Sequence, residues 1–128
     1  MDLRLLQFDN ANDIGCELYK VLKIIIEKNI GIMFNLENIN EYYTLLCVTE
    51  DDIIAGVGIV KNESILEYLC VKESYRKKGI GKRIVNKLLD KYSFLQVLPA
   101  KDVSFDFYFK NYDFSYSINE KYFIIKRL

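Results

Sequence analysis

The chain has 128 residues, about half of them apolar, and its 18 Lys and Arg balance 18 Asp and Glu. That length and apolar content suit one globular domain over residues 1–128 and exclude global disorder. Zero net charge excludes a global electrostatic pull toward nucleic acid or anionic membrane, so any basic site has to be local.

Leu3 to Phe8 reads as a first strand, and the polar stretch Asn10 to Asp13 can cap a helix. From Ile14, apolar residues recur at helical spacing through Leu18, Val21, Leu22, Ile25 and Ile26, with a stop near Gly31. Met33 to Tyr42 is ambiguous and can hold a second short helix. Tyr43 to Val48 and Ile53 to Val60 form a hairpin across Glu50-Asp51-Asp52. Gly56 and Gly58 inside its second strand mark a bulge or a close approach by another backbone. Ser64 to Val71 is the next strand. Then the period changes: Ile84, Val85, Leu88, Leu89 and Tyr92 share one face of an amphipathic helix over Gly81 to Tyr92. Phe94 to Leu98 is a strand ending at Pro99, Asp102 to Tyr112 a short aromatic helix. Phe114 to Ser117 and Tyr122 to Ile125 form a terminal hairpin across Asn119-Glu120. Interleaved strands and helices of this order predict an α/β fold with a mixed sheet and a right-handed crossover through the Gly81–Tyr92 helix.

No stretch reaches the roughly 18 apolar residues needed to span a bilayer. Met1-Asp2-Leu3-Arg4 is not a basic segment before an apolar signal core. A soluble, cytoplasmic protein without a membrane partner is expected. Cys16, Cys47 and Cys70 make no CxxC pair and read as buried hydrophobes. Histidine is absent, which removes imidazole catalysis and His metal sites; no metal is expected. Proton transfer then falls to carboxylate, Tyr, Lys, Cys or water.

The informative string is Val71-Lys72-Glu73-Ser74-Tyr75-Arg76-Lys77-Lys78-Gly79-Ile80-Gly81-Lys82, between a strand and a helix. Glycines there permit close approach of a ligand to backbone. The first turn of the helix has N–H groups without internal acceptors at the positive end of its dipole, an anion site suited to a diphosphate. Arg76, Lys77, Lys78, Lys82 and Arg83 add local charge to a neutral chain. No GxxxxGK[ST] loop is present, and GxGxxG fails because position 84 is Ile. The plain alternative is a solvated basic turn that caps a helix.

Arg76-x-x-Gly79-x-Gly81 resembles the [RQ]-x-x-G-x-[GA] signature of GNAT-type N-acetyltransferases, and Leu69-Cys70-Val71, the Tyr75-Arg76 pair and the following helix look like that family as well. The resemblance is strong over Ile53 to Tyr92 and weak before Tyr43. It implies a GNAT-like fold: a central mixed, mostly antiparallel sheet flanked by helices, with a strand, pyrophosphate loop and helix. It implies acetyl-CoA as cosubstrate, a primary amine of a small molecule or polypeptide as acceptor, and direct attack of the amine on the thioester. Backbone at Leu69, Cys70 and Val71 would bind the pantetheine arm, and amides from Arg76 or Lys77 through Lys78, Gly79, Ile80, Gly81 and Lys82 would hold the pyrophosphate. Many relatives dimerise, which leaves a homodimer open.

Glu67 is the candidate base: it lies four residues before Val71, and strand alternation puts it on the face of Leu69 and Val71. A surface Glu is the alternative. The family's acid is a Tyr in a motif resembling F-Y-x-K-x-G-F, matched here by Phe107 to Phe114. Counting back from Phe114 puts Phe109 at that position, among the CoA contacts, and Asp113 at the usual Gly. Asp102 falls where many relatives have a CoA-contacting Asn. Tyr108 would then point away, since each helical residue turns about 100°, unless a one-residue bulge restores it as the acid; otherwise water protonates the thiolate. Cys70 as an acetyl carrier is disfavoured because alternation sets it opposite Val71. The aromatics from Phe105 to Phe114 read as core in preference to a base-stacking platform. The competing function is an acetyl-CoA-binding regulatory or sensor module with little turnover.

Overall fold

A computed structural model of the chain describes residues 2–9, 15–30, 42–61, 64–97, 102–116 and 122–128. The elements run β1 (Leu3–Phe8), α1 (Cys16–Ile30), β2 (Tyr43–Thr49), β3 (Ile54–Lys61), β4 (Ile65–Val71), α2 (Ile80–Lys91), β5 (Leu95–Val97), α3 (Asp102–Asn111), β6 (Asp113–Tyr116) and β7 (Phe123–Lys126). The order is the expected one, with element ends shifted by one or two residues. A single 3-10 turn at Glu73–Tyr75, not anticipated from the pattern, joins β4 to the basic loop. The expected short helix over Met33 to Tyr42 lies outside the described residues except for Tyr42, which is buried. The Asn119-Glu120 turn also lies outside them.

The strands form one seven-stranded sheet in the order β1-β2-β3-β4-β5-β7-β6. β1 to β4 make an antiparallel meander, β5, β7 and β6 a second antiparallel group, and the two groups meet at a parallel β4–β5 pairing. A parallel neighbour requires a crossover, which α2 supplies.

Both faces of the sheet are covered, so β2 is buried along its whole length and does not alternate. On one face, Leu22, Ile25 and Ile26 of α1 pack against Leu46, Val48, Val57, Ile59 and Cys70. On the other, Ile80, Ile84, Val85, Leu88 and Leu89 of α2 pack with Leu45, Cys47, Leu95 and Ile125. Each such fully buried aliphatic side chain contributes roughly 1.5–3 kcal/mol of transfer free energy.

The two strand glycines are explained by α2. A Cβ on Gly58 would lie 2.7 Å from Ile84 Cγ2 and 3.2 Å from Leu88 Cδ1, and one on Gly56 would lie 3.0 Å from Ile80 Cγ2 and Ile84 Cδ1. A row of side chains on α2 approaches β3 at both glycines; at Gly56 the Cys70 carbonyl of β4 also lies 3.1 Å from the Cβ position, and the β2–β3 register shifts beside it. Hydrogen at both positions lets α2 sit directly on the sheet, and this sets the height of the α2 N-terminus.

The β3–β4 ladder has an irregularity between Ile59 and Val60: Ile59 pairs with Tyr68 and Val60 with Leu66, so Glu67 is the extra residue. A bulge of this kind breaks the two-residue period. Leu66 accordingly packs with Leu69 and Val71 on the α2 side, whereas Tyr68 and Cys70 pack on the α1 side. The residue thrown out of phase is Leu66; from Glu67 to Val71 the more exposed and the buried positions still alternate.

Candidate active site

β4 and β5 are paired only at Ile65–Gln96 among the described residues. β5 is described to Val97 while β4 continues to Val71, so among the described residues no strand lies beside most of one edge of β4. A strand edge presents N–H and C=O groups at regular spacing, ready to bind an extended ligand. Against this stretch lies a cleft of about 630 Å³. Leu69 and Val71 form one wall, and Phe107, Tyr108 and Asn111 of α3 the facing one. Arg76, Lys77 and the Gly79–Lys82 segment line its end.

That end is a tightly held turn. The Lys72 N–H donates to the Ala55 carbonyl at 2.9 Å, fixing where the chain leaves β4. Within the turn, the Tyr75 N–H donates to the Lys72 carbonyl at 2.8 Å and the Arg76 N–H to the Glu73 carbonyl at 3.3 Å. Arg76 Nε reaches back to the Val71 carbonyl at 3.1 Å, bracing the loop against the strand it came from. Lys77 and Gly79 both take left-handed backbone conformations, with φ of 61° and 77°. The chain can then reverse into α2, with Gly79 as N-cap. At Gly79 a side chain would cost roughly 1–2 kcal/mol of backbone strain.

The first helical hydrogen bond runs from the Arg83 N–H to the Gly79 carbonyl at 3.0 Å. The amides of Ile80, Gly81 and Lys82 precede it and have no acceptor within the helix. No acidic residue sits in this first turn, and no side chain caps it. The Arg76 amide, by contrast, is engaged by Glu73. The Gly81 Cα faces Phe107 and Val71: a Cβ there would lie 3.7 Å from each, entering the space between the walls. Free amides, a positive helix end and three adjacent cations form the donor set that a diphosphate takes. An apolar channel along an open strand edge suits a pantetheine arm. The residues present fit an acyl-CoA.

The remaining expected residues divide. Lys78 does not line the cleft; its ammonium lies 5.6 Å from the Tyr75 ring centroid. Cys70 points to the opposite face, where Sγ lies 3.8 Å from the Ile25 carbonyl of α1. Burial pushes its thiol up to about 11, so it is neither exposed to the cleft nor ionised at neutral pH. Only its backbone is available on the cofactor side. Glu67 is exposed and does not line the cleft; it sits at the bulge, two residues along β4 from Leu69, about 7 Å by strand rise.

Phe109 is corrected outright. It is 76% exposed and lies outside the cleft. Tyr108 is 5% exposed and in the wall. The reason is helical phase: Phe107, Tyr108 and Asn111 are spaced by three and four residues, so they share a face, while Phe109 turns about 100° past it. Counting back from Phe114 thus reaches a solvent-facing residue, in a segment where α3 ends at Asn111 and β6 begins at Asp113. Burial, and secondarily Tyr112, drive the Tyr108 phenol far above its ordinary range. It therefore remains a proton donor at any physiological pH. Tyr75, Phe107 and Asn111 also line the cleft and were not singled out as ligand residues. The i, i+4 relation of Phe107 to Asn111 was the signal available for two of them. The described side chains include no group of three or more His, Cys, Asp or Glu able to hold a metal ion.

The model of the acetyltransferase (GNAT) domain family matches residues 20–110. This chain belongs to the GNAT acetyltransferase family. It is an acyltransferase by that membership, of a family that uses acetyl-CoA or another acyl-CoA. No curated protein sequence matches the chain. Solved structures carry the fold at low identity. A GNAT-family acetyltransferase from Staphylococcus aureus Mu50 is similar with a TM-score of 0.69 at 13% identity, covering 99% of both chains. The ribosomal-protein-S18-alanine N-acetyltransferase of Escherichia coli gives 0.67 at 10% identity, covering 97% of this chain and 90% of that one. Tetrahymena GCN5 gives 0.66 at 16% identity, covering 99% and 96%. The seven-stranded sheet with its flanking helices is thus a GNAT fold. No helix among the described residues is long and apolar enough to cross a membrane.

Proposed function

We propose that this single-domain GNAT protein transfers an acetyl group from acetyl-CoA to a primary amine of a small molecule or polypeptide by direct attack. The observation that carries the reading is the joint placement of three features around one cleft: the end of β4 at Leu69 and Val71, the basic helix-start turn, and Tyr108 in the wall.

Bound acetyl-CoA supplies a thioester whose carbonyl carbon is the electrophile and whose thiolate is the leaving group. Arg76, Lys77 and Lys82, with the amides of Ile80, Gly81 and Lys82, hold the diphosphate. The β4 edge from Leu69 to Val71 hydrogen-bonds the pantetheine arm and aligns the thioester, and a backbone donor there stabilises charge on the carbonyl oxygen. Glu67, at the bulge in the β3–β4 ladder, accepts the amine proton through water. Tyr108 holds its proton and donates toward the departing sulfur. A phenol raised far above the roughly 8.5 of a thiol serves better as a hydrogen-bond donor than as a full acid, so solvent completes protonation. No metal enters this scheme.

The test measures free CoA release from acetyl-CoA with a panel of amines, for the wild type and for Tyr108→Phe and Glu67→Gln. Turnover that falls in both variants while CoA affinity holds is the expected result. CoA binding without release for any amine would replace transfer by a sensor role. Wild-type turnover in Glu67→Gln would remove that residue as the base.

A further inference from the structure

The two walls of the cleft come from different elements. Leu69 and Val71 sit on β4 and Phe107, Tyr108 and Asn111 on α3, while Lys82 and the amides of the basic end belong to the start of α2. The distance from the α3 wall to that basic end therefore depends on what fixes α3 against α2. Apolar contact alone tolerates sliding; an O–H···O bond has a narrow window of distance and angle.

A part-buried polar link joins the residue after α3 to the first two turns of α2. The Tyr112 hydroxyl donates to Asn86 Oδ1 at 2.9 Å and lies 3.4 Å from the Lys82 carbonyl. Asn86 and Lys82 are one turn apart on the same face of α2, and Lys82 itself lines the cleft. Tyr112 is 3% exposed. Its backbone is held in the same place from the other side: the Tyr112 N–H donates to the Tyr108 carbonyl at 3.1 Å. Its ring meets Phe107 edge-on, with centroids 5.9 Å apart. Asn111 Nδ2 closes the last turn on the Phe107 carbonyl at 2.8 Å. On the α2 side, Arg127 donates to the Asn86 carbonyl at 2.7 Å and pairs with Asp90, so the acceptor is braced as well. Burial raises the Tyr112 phenol to about 12, keeping its proton in place for donation.

We propose that Tyr112 and Asn86 form a latch that sets the distance of the α3 wall from the basic end of the cleft, so that both are positioning residues for acyl-CoA binding and for Tyr108. The inference rests on the cofactor reading above. Neither side chain needs to touch the ligand: Tyr112 acts through Phe107 and Tyr108, Asn86 through the first turn of α2.

The test is CoA affinity by titration calorimetry on the folded wild type, Tyr112→Phe, Asn86→Ala and the double variant. Each single change is expected to weaken CoA binding about fivefold to tenfold. The double variant should be no worse than either single, because both remove one bond. Wild-type affinity in both singles, even with lowered melting temperatures, would reduce the pair to ordinary packing and overturn the latch; so would independent, additive losses. A second readout needs no ligand. Hydrogen exchange at the Phe107 to Asn111 amides should speed up in Tyr112→Phe, and unchanged exchange overturns the proposal. Failure of the wild type to bind CoA would instead refute the cofactor reading, leaving the exchange measurement to decide the latch.

Discussion

Adding one methyl group at Gly58 should move the helix that carries the ligand-binding turn. Its Cβ would lie 2.7 Å from Ile84 Cγ2 and 3.2 Å from Leu88 Cδ1. Normal carbon contact begins near 3.5 Å, so Ile84 must withdraw by close to 1 Å. It has no room to do so: Ile84 and Leu88 are 0% exposed, and a β-branched side chain in a helix is confined to essentially one rotamer. The displacement passes to α2 itself. Overpacking of this kind costs about 1–3 kcal/mol, which lowers the melting temperature by roughly 4 °C per kcal/mol in a domain of this size. Ile84→Ala removes the clashing carbon and by itself costs about 2–5 kcal/mol through the cavity it leaves. In the double variant the new methyl occupies part of that cavity. Its destabilisation should fall short of the sum of the singles by about 1 kcal/mol or more. Urea denaturation of the four proteins measures the cycle. Additive losses, or a Gly58→Ala variant as stable as the wild type, would show that α2 does not rest on β3 as described.

Three further outcomes are expected. Tyr108→Phe should cut kcat by about tenfold to a hundredfold with little change in CoA affinity, whereas Phe109→Ser should leave turnover unchanged, since that ring faces solvent; steady-state kinetics separates the two, and loss of activity in the Phe109 variant alone would reinstate the motif count. Arg76→Ala, which removes both a cleft cation and the brace to the Val71 carbonyl, should weaken CoA binding about tenfold and flatten its salt dependence; equal affinity over a salt series would exclude Arg76 from the site. Stability should fall at alkaline pH: Cys70 and Tyr112 are raised in the folded state, from 9.0 to about 11 and from 10.0 to about 12. Protonated forms are favoured by folding, so their stabilisation is full below the unfolded values and is lost as pH rises to the folded ones, each at about 1.4 kcal/mol per pH unit. Urea midpoints flat from pH 8 to 11 would contradict the burial of both groups.

The phosphate-binding turn was legible because its determinants are local. Arg76, Gly79 and Gly81 stand at fixed spacing, the apolar period changes from two to nearly four residues across them, and a helix start has unsatisfied amides whatever surrounds it. The Ile84, Val85, Leu88 and Leu89 stripe likewise marked α2 from spacing alone, and the structure buries all four. Glu67 and Tyr108 were less legible because their placement depends on phase. The bulge at Glu67 arises from pairing with Ile59 and Val60 on another strand, and no pattern within β4 announces it. A motif count assumes a fixed path between helix and strand, and which helical positions face the cleft is decided by how α3 packs, which the count does not contain.

Chain-local chemistry thus determined the order of elements, the anion-binding turn and the absence of imidazole from any mechanism. Tertiary structure decided the rest: that Leu69 and Val71 of β4 face a cleft, that α2 seats on the glycines of β3, that Tyr108 enters the wall while Phe109 leaves it, and that Tyr112 bonds to α2. The division has a physical cause. Hydrogen-bonding needs and periodicity are properties of neighbours along the chain, whereas a cleft is a distance between elements, fixed only when side chains from far-separated segments pack.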